Sequence, residues 1–77
     1  MVRKMNRIFI IAKIKNLSTD AIDLIERTKK GEQEHTAVFM SDKMRDYVNE
    51  YYSVGDDIAI VGSMLNGFIE IKEVCRY

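Results

Sequence analysis

Proline and tryptophan are missing from this 77-residue sequence, and cysteine occurs once, as Cys75. A single cysteine excludes an internal disulfide and any multi-cysteine zinc site, and it fits a reducing compartment. No apolar run reaches bilayer-spanning length, and residues 8–11 (IFII) are too short for a signal-peptide core. These absences lead to the expectation of a cytoplasmic protein that does not engage a membrane. The sequence also has no phosphate-cradling glycine loop, no nucleophile–base pair and no His/Cys cluster. An enzyme is therefore not expected, and neither is a cofactor. His35 has no second His or Cys near it, so a metal site is not expected either. The carboxylate pairs Asp42/Asp46 and Asp56/Asp57 sit at an expected helix start and a glycine turn, and structural roles account for both.

What is present is one small domain, residues 1–77. A chain of this size buries only ~60% of its unfolded surface, so oligomerisation would help it. The formal net charge is zero, but it is unevenly spread. Residues 1–30 hold eight Lys/Arg against three acids, and residues 31–77 hold four against nine. A basic first half can mark a face for a polyanion, or it can be ordinary surface charge.

Periodicity gives the elements. Residues 6–15 (NRIFIIAKIK) alternate as a strand. Ile8, Ile10, Ala12 and Ile14 make one face; Arg7, Phe9, Ile11 and Lys13 make the other. Residues 1–4 are expected to be irregular and 16–20 to turn. Residues 21–29 fit a strand or a helix. The strand is preferred, because Lys30-Gly31 and the polar residues after it resemble a hairpin connection. Residues 35–41 then return as a third strand, with Thr36, Val38 and Met40 inward and His35, Ala37, Phe39 and Ser41 outward.

Met44, Tyr47, Val48, Tyr51 and Tyr52 form an apolar helical stripe behind a Ser41 or Asp42 cap, and Gly55 is expected to end that helix. Residues 57–64 alternate again. Asn66-Gly67 is a strong hairpin signal, and residues 68–74 form the last strand. The order β-β-β-α-β-β predicts an all-β chain, a five-stranded Greek-key barrel of the OB-fold type with one helix between strands 3 and 4. The helix stripe would plug the barrel.

The segment NRIFIIAKI at 6–14 resembles the opening strand of bacterial single-stranded-DNA-binding proteins. Residues 37–64 resemble their strand 3–helix–strand 4 segment, through Glu50-Tyr51-Tyr52, Val54-Gly55 and Gly62. The resemblance covers about half the chain. It implies an OB-fold, dimeric or tetrameric, that coats single-stranded DNA by stacking bases on aromatics between cations. Some members are accessory replication proteins. This chain departs from the pattern in several ways. It has no tryptophan, His35 falls near the family's strand-3 tryptophan, and Ser41 falls near its phenylalanine. The hairpins are short and the acidic C-terminal tail is missing. A reduced, accessory version is implied.

The candidate nucleic-acid-binding residues are accordingly Arg7, Lys13, Arg27, Lys29, Lys30, His35, Phe39, Phe68 and Lys72. Phe39 would stack bases, Phe68 would stack or cap the core, and the cations would meet phosphates. Arg27, Lys29 and Lys30 lie near a hairpin tip, where OB-folds commonly hold nucleic acid. Phe9 and Ile11 are expected in a subunit interface, since family dimers pair through the first strand. The leading expectation is binding of single-stranded DNA with little sequence preference, in replication or recombination. The alternative is a protein-interaction subunit that joins a primase, polymerase or helicase complex, with the partner on Phe9, Ile11 and Phe39. An RNA-binding barrel of the cold-shock type fits less well, because its glycine- and aromatic-rich motifs are absent.

Overall fold

Alternating burial produces five strands. The computed structural model describes residues 7–75, so the expected irregular start at 1–4 and the first-strand residue Asn6 lie outside the described residues. The elements are β1 Arg7–Leu17, β2 Ala21–Thr28, β3 Gly31–Val38, α1 Asp42–Tyr51, β4 Asp57–Leu65 and β5 Phe68–Cys75. In β1, Ile10, Ala12 and Ile14 are buried while Phe9, Ile11 and Lys13 point outward. In the ambiguous second segment, Ile22 and Leu24 are buried at a spacing of two, and all of β2 is laddered to β3, so the strand prevails.

The strands close on themselves in the order β1-β2-β3-β5-β4. Four contacts are antiparallel. The fifth, β3 with β5, is parallel and holds only Ala37↔Ile69 and Val38↔Glu70. β1 serves two neighbours: Arg7 to Lys13 pair with β4, and Lys13 to Leu17 pair with β2, with an irregularity between Ile14 and Asn16. It therefore runs two residues past its expected end. The result is an all-β, five-stranded closed sheet with one helix between the third and fourth strands.

Two turns set the hairpin registers. Asn66 (φ 50°) and Gly67 (φ 87°) both take positive φ, as a two-residue I′-type turn requires. Lys29-Lys30 make the other turn, where the Thr28 hydroxyl donates to the Gly31 carbonyl and accepts from the Lys30 amide. That turn fixes Thr28 opposite Gly31, hence Ile22 opposite Ala37 and Leu24 opposite His35.

The third strand corrects the sequence reading. β3 starts at Gly31, and Ala37 is fully buried, whereas Thr36 is exposed and Met40 is 50% exposed. Its faces are therefore the reverse of those expected. The register handed over by the Lys29-Lys30 turn outweighs the larger side chains Val38 and Met40.

The helix is capped by Ser41, whose hydroxyl accepts from the Met44 amide. Val48 is fully buried in the shared core, and Met44 and Tyr52 pack against it. Tyr47 and Tyr51 stay outside with ring centroids 5.0 Å apart. The expected five-residue stripe thus narrows to positions 44, 48 and 52. The helix does not end at Gly55. Tyr52 is its extended C-cap, and Gly55 (φ 97°) turns the chain toward β4, where its amide donates to the Ile14 carbonyl.

The core is largely branched aliphatic: Ile14, Ile22, Leu24, Ile58, Ile60, Ile69 and Ile71 are essentially inaccessible. Burying each such side chain contributes about 1.5–3 kcal/mol. Gly62 marks the tightest approach. A Cβ there would overlap the Glu70 carbonyl oxygen and lie 2.8 Å from Ile69 Cγ2, so only glycine lets β4 and β5 pair at this point.

Candidate functional site

The divergence of β1 and β2 organises the surface. Lys13↔Ile25 is the first pair of their shared ladder. From there β1 runs back beside β4, while β2 continues with β3 as a hairpin arm tipped by Lys29 and Lys30. A cleft opens where they part, lined by Ile11, Lys13, Ile25, Arg27, Glu32 and Asp57. Along it, residues 7–12 of β1 have no backbone partner on the β2 side among the described residues.

The outward face of that free stretch carries Arg7, Phe9, Ile11 and Lys13 in succession, because alternate residues of a strand share a face. Phe9 is 58% and Ile11 39% exposed. Their cross-strand neighbours are Val61 and Ala59, so a small apolar patch lies between two cations. Neither Arg7 nor Lys13 has an ion-pair partner within 4 Å among the described residues, although Asp57 stands opposite Lys13 in register.

Other expected phosphate contacts are engaged by acids. Arg27 Nη2 lies 3.7 Å from Glu32, and Lys72 Nζ lies 4.0 Å from Glu70. Lys15, beside the same ladder, bonds Glu34 at 3.0 Å. Exposed pairs of this kind stabilise by only ~0–1 kcal/mol, so an incoming phosphate can displace them. Lys29 and Lys30 have no acidic partner among the described residues.

His35 is not a free surface group. Its Nε2 lies 2.9 Å from Glu26, half-buried on the inner face of the arm. Phe39, expected outward as a stacking platform, is instead half-buried against the core, with its amide bonded to the Asp20 carbonyl. The reversed parity of β3 is the cause. Phe68 is half-buried beside the Asn66-Gly67 turn.

The structure therefore brings Ile11, Lys13 and Arg27 to one cleft, continues the same outward face of β1 through Phe9 to Arg7, places Lys29 and Lys30 at the end of the adjoining arm, and leaves Phe39 and Lys72 elsewhere. Sequence reasoning missed Ile25, Glu32 and Asp57 as cleft residues. Their spacing carries no signal, because they meet only once β1 has divided its pairing. Among the described residues, no group of three His, Cys, Asp or Glu could hold a metal ion, and no helix is long and apolar enough to cross a membrane. No protein-family model and no curated protein matches the chain.

Proposed function

We propose that the chain is an OB-fold module that binds single-stranded DNA with little sequence preference, as a non-enzymatic accessory to replication or recombination. The closed order β1-β2-β3-β5-β4 with a helix after β3 fits a five-stranded Greek-key barrel. The observation that carries the functional reading is the β2–β3 arm: its tip holds Lys29 and Lys30, which have no acidic partner among the described residues, and its flank lines the Lys13–Arg27 cleft. A strand crossing from cleft to tip would place phosphates on these cations. Bases would stack on an exposed ring, a contact of ~1–3 kcal/mol per base that tolerates any sequence. Phe9 is the phenylalanine most available for this, since Phe39 belongs to the core.

A second reading is favoured by Phe9 and Ile11 themselves, which lie exposed beside the free β1 edge. An exposed apolar edge strand is a template for pairing with another chain. In this reading that edge joins a second copy or a primase, polymerase or helicase, and DNA binding is weak.

Anisotropy of labelled oligothymidine at low and moderate salt tests the first reading. Binding should weaken with salt. Lys29→Glu with Lys30→Glu should lower the log–log salt slope by ~1.4, two phosphates at ~0.7 each. Absence of binding at low salt would leave the interaction-subunit reading, and light scattering would then report whether the free chain is a dimer.

A further inference from the structure

A second free backbone edge lies on β5, across β4 from the free stretch of β1, since Ile60 pairs with Ile10 on one side and Val74 on the other. β3 stops at Val38, where its parallel pairing with β5 has reached only Glu70. The chain then leaves for α1. Beyond that point residues 71–75 have β4 on one side and no backbone hydrogen-bond partner on the other among the described residues. This edge is ~17 Å long at ~3.4 Å per residue.

α1 runs beside the edge, and a groove separates them. Met44 and Tyr47 line it from the helix, and Val74 lines it from the strand. Lys43 and Lys72 stand at its rim, and Glu73 lies beside Lys72 on the strand side. Lys43 has no ion-pair partner among the described residues, and Lys72 Nζ lies 4.0 Å from the Glu70 carboxylate. Lys72 is also the extra residue of a β-bulge, since Val61 pairs with Glu73 while Gly62 pairs with Ile71. Bulges at sheet edges re-aim side chains, and this one falls on the strand that borders the groove. A strand edge facing a helix across an apolar groove is the geometry of peptide recognition by strand addition. Main-chain bonds supply affinity there, and alternate side chains enter the groove.

We infer that this groove takes an extended peptide, added as a strand to β5, whose apolar side chains alternate with carboxylates. The ladder requires a peptide backbone, which a nucleic acid lacks. The floor of Met44 and Val74 calls for an apolar side chain. Lys43, without an ion-pair partner among the described residues, and Lys72, held only by a 4.0 Å contact with Glu70, outnumber Glu73 and call for acid beside it. Exposed Tyr47 supplies a ring wall that the core does not use. The inference does not rest on DNA binding, which concerns the opposite edge of the ring.

The test uses the full chain with a short labelled peptide that alternates aspartate with leucine, and a matched peptide with lysine in place of aspartate. The acidic peptide should bind saturably and slow amide exchange in residues 71–75. Lys43→Glu with Lys72→Glu should weaken it by ~10-fold while leaving the thermal transition in place, both lysines being at the surface. No saturable binding, equal binding of the lysine peptide, or protection at residues 7–12 instead would overturn the inference. So would the same protection from oligothymidine, or protection in the free chain that rises with protein concentration, which would assign the edge to a second copy.

Discussion

The two ends of the β2–β3 hairpin are built on different physics. Near the ring, Ile22, Leu24 and Ala37 are sealed in the core. Toward the tip, every residue from Lys29 to Glu34 is exposed, and the arm is held by its own ladder, Arg27–Glu32 and Lys15–Glu34. One continuous hairpin thus passes from a region where stability is concentrated to one that contributes little to it. The lesson is that the cations at the tip are free to evolve for contact, whereas any change near the ring is felt by the fold.

Gly62→Ala gives the largest effect and bears on the ring alone. The added methyl meets backbone on β5 that cannot move aside without parting the ladder. The loss should be about 3 kcal/mol or more, read as a fall in denaturant midpoint. A near-neutral result would mean that β4 and β5 are less tightly joined than the geometry says.

Phe39→Ala comes next and sharpens the boundary between the regions. A half-buried phenylalanine packed on the core should lose roughly 1–3 kcal/mol on truncation, less than a fully buried one. Oligothymidine affinity of the folded variant should stay within twofold. If stability holds and affinity falls, Phe39 belongs to the binding surface after all.

Lys15→Ala should do least. Removing the 3.0 Å pair with Glu34 should shift stability by no more than ~0.5–1 kcal/mol, and less in high salt. A larger change would show that the arm depends on its ion pairs and that the contrast has been drawn too sharply.

The same contrast explains what the sequence revealed. Strands β1, β4 and β5 were legible because aliphatic residues recur at every second position along them, and β2, ambiguous by periodicity alone, was settled by the hairpin signal at Lys30-Gly31. β3 was not, because its apolar residues Val38 and Met40 sit one place out of phase with the small Ala37 that the turn at Lys29-Lys30 carries inward. The helix was legible in position and cap, but its five-residue stripe was wider than the core it meets, so Tyr47 and Tyr51 were left over. At the candidate site, residue types were legible and their partners were not. Lys15 and Glu34 are nineteen positions apart, and only the strand register makes them neighbours. The free edges on β1 and β5 are likewise products of where pairing stops.

The irregularity in β1 has a further consequence. Before it, the even-numbered residues Ile10, Ala12 and Ile14 face the interior; after it, odd-numbered Leu17 does, opposite Ile22. A single uncounted position, near Lys15, acts as a phase shifter within one strand and lets two incompatible alternations share an unbroken backbone. Without it, Leu17 would swing to solvent and Asn16 toward oil.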